Sequence, residues 1–406
     1  MSLRDLAKAV HHDVSYVSRA LNGIKPCGPK LARAIDDALD AKGEIIVAAA
    51  KIRPIKRPLR TAAGPQPVPA DGVPRRDFVT LAMTVTSLLD MLRTASPDLP
   101  ERIERGAQVD AETAAGLESV MSGYRQIYQS APSLALLDPV CGALSLLTEV
   151  APKAGRHRDL IVSLIGQASS LAATMLMLDQ GDYTSATRYL AVAARAAQQC
   201  GDNEVLAITM AARAFHSAYG GDPAGGLAFA AEASELAAHV HPRTRGWVAA
   251  MESEMLATAG EQSAWEQAVD TAVGLVTGPM PGRPWKGIGA FTPAKLTAYR
   301  GAGLMRLHRY AEAQRILSDA LGQLDPVQTK HRTTAHIDLA DAFALDGKPD
   351  EAAAQAMVAL DIIAVTGHAE SLRRAGGVYE AIRPTRTAAA RELGSRLLAV
   401  RAGSVG

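Results

Sequence analysis

The sequence predicts an all-α protein in which a short N-terminal helical domain precedes a long helical repeat array. From Arg75 onward, apolar residues recur at three- and four-residue spacings, almost no segment alternates like a strand, and turn-forming segments recur about every 40 residues. At 406 residues the chain is too long for one ordinary hydrophobic core. Its 48% apolar and 21% charged residues suit a folded protein, and 4% aromatics argue against a large β-core.

The first helices are predicted from caps and turns in residues 2–23. Ser2 can cap a helix that runs to Val10, and Asp13 can cap a second helix over 14–21. Asn22 and Gly23 tolerate the left-handed conformation and end that helix.

A third helix is predicted to begin at Pro29, with Leu31, Ile35 and Leu39 on its inner face. Two short helices joined by a tight turn form a helix-turn-helix, whose second helix fits the major groove of DNA. The charge agrees with this interpretation, because residues 1–60 carry +6 and the remainder of the chain carries −5. A solvated basic patch is the alternative explanation of the charge.

This stretch resembles the Cro-type (XRE) helix-turn-helix family over about 45 residues. The matching residues are Leu6-Ala7, Ser15-Tyr16-Val17-Ser18-Arg19 and Asn22-Gly23. The resemblance implies that the outward residues Val14, Ser15 and Arg19 contact bases. It implies that Asn22 and Lys25 contact phosphate, and that Tyr16 and Ser18 lie at the margin of the groove.

Two features depart from that family. Its members usually have a helix before this unit, whereas this chain starts at Met1, and a glutamine common in the family is Leu3 here. A helical hairpin that contacts protein and has lost DNA binding is the alternative.

Residues 51–74 are predicted to be a linker between residues 1–50 and the repeat domain over 75–403. Six prolines fall within 52–74, and proline restricts both itself and its predecessor to extended conformations.

The repeat domain contains four segments that place a turn before a small residue: Gly181–Ala186, Gly221–Gly226, His308–Ala313 and Gly347–Ala352. An alanine follows each segment seven residues later, at Ala193, Ala233, Ala320 and Ala359, and a weaker copy lies around 260–264. Such alanines let two helices of a hairpin approach closely. The segments resemble tetratricopeptide repeats (TPR), although their spacing of about 40 residues is longer than usual; a helical array of another type is the alternative.

A Gly- and Pro-rich loop over 278–293 interrupts the array and carries Trp285 and Phe291. Long loops in compact arrays are often functional, so these aromatic residues are predicted to bind a ligand on the concave face; an idle surface insertion is the alternative.

No pattern in the sequence supports an enzyme, a cofactor site or a metal site. Nucleotide-binding, hydrolase and zinc-protease motifs are absent, and the three cysteines are far apart, as expected in a reducing cytosol. We expect a cytoplasmic protein without a signal peptide or a membrane-spanning run.

The whole layout resembles transcriptional regulators widespread in actinobacteria, in which the repeat domain dimerises and, in some members, binds a peptide signal. The resemblance therefore implies a helix-turn-helix domain followed by a TPR-like α-solenoid, acting as a sequence-specific transcriptional regulator. Double-stranded DNA, a second copy of the chain, and a small molecule, peptide or protein signal are its expected partners. The alternative is a TPR-like interaction scaffold or anti-regulator with a vestigial helix-turn-helix.

Overall fold

The computed structural model describes residues 8–10, 29–39, 109–278 and 285–403, and every regular element in these ranges is a helix. The chain divides into two units, Met1–Pro69 and Ala70–Gly406. The linker over 51–74 and all seven residues predicted to contact DNA lie outside the described ranges: Val14, Ser15, Tyr16, Ser18, Arg19, Asn22 and Lys25.

The first unit contains helix α1, Pro29–Leu39. Proline suits the first turn, because its missing N–H would have no partner inside the helix. Leu31 and Ile35 are buried one turn apart, whereas Lys30 and Arg33 are exposed. This confirms the third helix and two of its three predicted inner residues.

The described part of the second unit contains α-helices α2 to α15, with bounds Ala111–Ile127, Ser133–Val150, Arg158–Thr174, Tyr183–Cys200, Asn203–Tyr219, Pro223–Ala237, Pro242–Thr258, Gln262–Thr277, Pro293–Arg306, Tyr310–Gln323, Thr329–Leu345, Pro349–Thr366, Ala369–Ile382 and Ala388–Gly403. A π-helical turn, Met175–Asp179, follows α4. Short 3₁₀ turns occupy Ala151–Lys153, Gly155–His157 and Arg383–Thr385.

Five successive hairpins form the body of the array: α4 with α5, α6 with α7, α8 with α9, α10 with α11, and α12 with α13. The turn of each hairpin contains one residue with positive φ: Gly181, Gly221, Gly260, His308 and Gly347. This left-handed residue ends the first helix and redirects the chain into the second. The predicted turns therefore occur where the sequence places them, with His308 in the role that glycine fills elsewhere.

Small residues set the distance between the helices of each hairpin. The alanines predicted to pack there are fully buried, namely Ala193, Ala233, Ala320 and Ala359. The first helices of neighbouring hairpins also pack side by side, α6 on α8, α8 on α10 and α10 on α12. This part of the chain is a TPR-like helical repeat array, and the predicted all-α fold class is confirmed.

Two segments are long and apolar enough to cross a membrane by length and composition, Ala135–Lys153 and Gly155–Asp179. In the second, 83% of the apolar window is buried within the protein, as in a core helix. The first presents Asp138, Thr148 and Glu149 on its exposed side, which suits an amphipathic helix at the surface of the array.

Candidate functional site

A cavity lies inside the array and is lined by the first helices of the hairpins. Its lining runs from Tyr128, after α2, to Arg374 in α14. The cavity has about 1180 Å³ of atom-free space, including space open to solvent.

Contacts between distant parts of the array close the cavity on one side. The backbone carbonyl of Gln129 accepts hydrogen bonds from Lys330 N and from Thr329 Oγ1, each 3.2 Å long. Tyr183 Oη, at the start of α5, donates to Glu370 Oε2 in α14 at 3.0 Å. Early and late helices of the described array therefore meet on one side of the cavity, which stays partly open to solvent; we call this partly closed cavity the chamber.

A buried ion pair lies in this closing contact. Lys330 Nζ lies 2.7 Å from Asp179 Oδ2, and the two side chains are 2% and 0% exposed. The ammonium also lies 3.8 Å from the centroid of the Tyr128 ring, whose hydroxyl donates to Asp179 Oδ1 at 3.4 Å. Burial lowers the pKa of Lys330, whereas Asp179 favours its charged form. The π-helical turn, which has Asp179 as its last residue, carries this carboxylate into the closing contact.

The apolar part of the wall comes from four helices and the loop before α10. Its larger members are Met177, Ile208, Phe215, Trp247, Ile288 and Phe291. Phe291 is 3% exposed and packs against Tyr299, with ring centroids 6.2 Å apart. Trp285 does not line the cavity: its ring lies behind the wall, 6.4 Å from Trp247 and 6.5 Å from Phe291 by centroids.

The loop that carries these aromatic residues is fastened to the first helices of the array. Gly289 N donates to the carbonyl of Arg125 at 2.8 Å, and Lys286 pairs with Asp202. Gly289 has φ of +70°, and a Cβ there would lie 2.4 Å from Gln129 Cγ. Glycine is required at this position for both reasons, and it allows the loop to reach the wall of the cavity.

The charged residues in the wall differ in their partners. Each carboxylate has its own arginine: Glu254 Oε1 with Arg306 at 2.6 Å, Asp338 Oδ1 with Arg374 at 2.6 Å, and Glu370 Oε1 with Arg373 at 2.5 Å. The Lys295 ammonium instead lies 5.0 Å from the centroid of the Tyr299 ring, and no described carboxylate is within salt-bridge distance of it. Burial lowers the pKa of Lys295, although Asp338 and Glu254 favour its charged form from a distance.

Two buried histidines complete the basic part of the wall. Burial lowers the pKa of His331 well below its usual value, and the charges of Lys295 and His368 act in the same direction. Burial also lowers the pKa of His368 to about 4. Ser371 N donates to His368 Nδ1 at 3.1 Å, which favours the neutral ring with its proton on Nε2.

Two buried polar atoms of the wall have no hydrogen-bond partner among the described residues. They are Oε1 of Gln129 and Oγ of Ser170, on residues that are 8% and 2% exposed. An unpaired buried polar group costs about 1–3 kcal/mol, so both atoms are available for a bound molecule. The chamber therefore offers an apolar wall, one ammonium without a carboxylate partner, and unpaired hydrogen-bonding groups.

Of the two predicted ligand-binding residues, Phe291 lies in the wall and Trp285 supports it from behind. Sequence reasoning missed the polar residues of the wall, Gln129, Ser170, Lys295, Lys330, His331 and His368. They come from segments far apart in the chain, and no local spacing connects them.

No family of known proteins and no curated protein matches the chain. Among solved structures, one similar protein is a STAND protein, a signal transduction ATPase with numerous domains, which has a tetratricopeptide repeat sensor and comes from Pyrococcus horikoshii. Its sequence is 14% identical, the match covers 92% of this chain and 55% of that one, and the TM-score is 0.35. This chain therefore spans about half the length of that protein. The TPR domain of P58(IPK) is also similar, at 14% identity and a TM-score of 0.22, over 81% of this chain and 96% of that one.

Proposed function

We propose that the chain is a cytoplasmic transcriptional regulator in which the predicted helix-turn-helix binds DNA as a homodimer and the chamber receives the signal. The observation that carries the proposal is the chamber, whose wall contains buried polar atoms without partners. Because those atoms cost stability in the empty protein, a bound molecule that pairs with them would stabilise the bound state.

The DNA-binding part of the proposal is supported by the sequence pattern of residues 2–23 and by the charge of residues 1–60. The buried Leu31 and Ile35 of α1 agree with the predicted third helix of such a domain. Repeat arrays also bind other proteins through their extended surfaces, so a partner protein is compatible with the same body.

Arg19 and Lys25 are expected to affect DNA binding differently, although each substitution removes one positive charge. Arg19→Ala should cost about 1–3 kcal/mol on the specific site and relax the preference at one base pair of each half-site, because this arginine is predicted to reach a base edge. Lys25→Ala should weaken all sequences similarly and reduce the slope of affinity against salt by about one, because it is predicted to contact phosphate.

The measurement is the affinity of the full chain and of both variants for a fragment from its own promoter region and for a scrambled duplex, at several salt concentrations. An Arg19→Ala variant that keeps the wild-type ratio of specific to scrambled affinity would refute the base contact.

The second candidate is an interaction scaffold whose N-terminal segment no longer binds DNA. The observation that favours it is the exposure of large apolar residues on helices α13 and α15, where Val358, Val365 and Leu398 are 42%, 53% and 69% exposed. Exposed large apolar residues are expected on a surface that a partner protein or a second copy covers. Equal, weak affinity for promoter and scrambled DNA would favour this candidate, and a monomer in light scattering, with and without DNA, would exclude the homodimer.

A further inference from the structure

We propose that the ligand of the chamber is a small organic monoanion, with its acidic group at Lys295 and its apolar body against Phe291 and the neighbouring wall. The inference rests on the proposed function only in that the chamber binds a ligand. It adds the chemical class of that ligand.

The position of the charge follows from how the wall residues are paired. Every carboxylate that lines the chamber already has an arginine within 2.6 Å. Lys330 likewise has Asp179 at 2.7 Å. In the described part of the chain, Lys295 has only the Tyr299 ring as a partner of its ammonium, and a ring stabilises a cation without using up its N–H donors. A ligand carboxylate or sulfonate at this half-buried ammonium would form a charge-assisted hydrogen bond.

The size of the ligand follows from the closure of the chamber. A long extended peptide needs a groove that is open along its length, whereas here Gln129 with Lys330, and Tyr183 with Glu370, close one side of the chamber. A small molecule is compatible with this partly closed space. Gln129 Oε1 can accept a hydrogen bond from its body, and Ser170 Oγ can donate or accept one.

The experiment compares two fluorescent probes that share an apolar body and differ in charge: anilinonaphthalene sulfonate, an anion, and N-phenylnaphthylamine, which is neutral. Each is titrated into the full wild-type chain and into Lys295→Met, Lys295→Arg and Lys153→Met. Lys153 is exposed and does not line the chamber, so its variant controls for the loss of one positive charge.

Lys295→Met should weaken the anionic probe about tenfold, which corresponds to about 1.4 kcal/mol, and leave the neutral probe unchanged. Lys295→Arg should retain most of the affinity for the anion, and Lys153→Met should bind both probes as the wild type does. If Lys295→Met weakens both probes equally or neither of them, the inference of an anionic ligand is wrong. If neither probe binds the wild type at a saturable single site, the proposed ligand chamber itself is wrong, so the two failures are distinguishable.

Discussion

Lys330→Met is expected to lower the free energy of unfolding by about 3–5 kcal/mol, since it leaves a buried carboxylate without its cation. Asp179 would remain fully buried, and in the part of the chain that the structure describes its side chain would keep the Tyr128 hydroxyl at 3.4 Å and His368 Nε2 at 4.0 Å. The same substitution removes one of the contacts that join the two ends of the described array. Urea denaturation at pH 7, followed by circular dichroism, measures the loss.

Two further variants show whether the burial of the pair is the cause. Lys330→Met combined with Asp179→Leu should recover most of the stability, because an apolar pair of similar volume leaves no buried charge. Arg396→Met breaks an exposed pair with Asp361 and should cost no more than about 1 kcal/mol. A Lys330→Met variant as stable as Arg396→Met would show that the buried pair does not hold the closing contact.

His368 is expected to make the array lose about 3 kcal/mol of stability as the pH falls from 6.5 to 4. Burial lowers the pKa of His368 to about 4 in the folded protein, against about 6.5 for a free imidazole. Between these values the unfolded chain binds more protons than the folded one. The contribution of neutral His368 to the free energy of unfolding is therefore complete above pH 6.5, and it is lost as the pH falls through 4.

The groups around His368 determine how far its pKa is lowered. Asp179 and Glu370 favour the charged imidazole, whereas burial and the charges of Lys330 and Arg374 oppose it. His331 has a pKa that is also lowered by burial, so it should add to the loss in the same direction.

The contribution of His368 is measured as the difference between wild type and His368→Asn in urea denaturation at pH 7.5 and pH 4.5. Asparagine can still accept the hydrogen bond from Ser371 N, so the helix cap is kept and only the titration is lost. The variant should be much less sensitive to acid than the wild type. Parallel curves of stability against pH for the two proteins would contradict the assignment. Relative to His368→Asn, His368→Ala also removes the cap and should cost about 1 kcal/mol at every pH.

The hairpins of the repeat domain were predictable because their determinants are local. A residue that tolerates positive φ ends one helix, and an alanine seven residues beyond the turn segment marks the close approach, as at Gly181 and Ala193. Helix α1 was predictable for the same reason, from Pro29 and the spacing of Leu31 and Ile35.

The chamber was not predictable, because its chemistry depends on contacts between distant parts of the chain. Lys330 stands beside Thr329, His331 and Arg332 and resembles a surface residue in the sequence, yet Asp179, 151 residues away, pairs with it in the interior. The loop with Trp285 and Phe291 was singled out in the sequence, and the structure places it at the chamber. Its composition does not reveal that Phe291 lines the chamber while Trp285 packs behind it.

The most direct test of the chamber as a ligand site is to fill it and to measure the binding of anilinonaphthalene sulfonate to the full chain. Thr334 lines the chamber and is half-buried, so Thr334→Phe places a ring in the space. Thr297→Phe is the matched control, because both hydroxyls donate to a carbonyl four residues earlier but Thr297 does not line the chamber. We predict one saturable site per chain in the wild type and in Thr297→Phe, and at least about tenfold weaker binding in Thr334→Phe, which corresponds to about 1.4 kcal/mol. Wild-type affinity in Thr334→Phe would contradict the account.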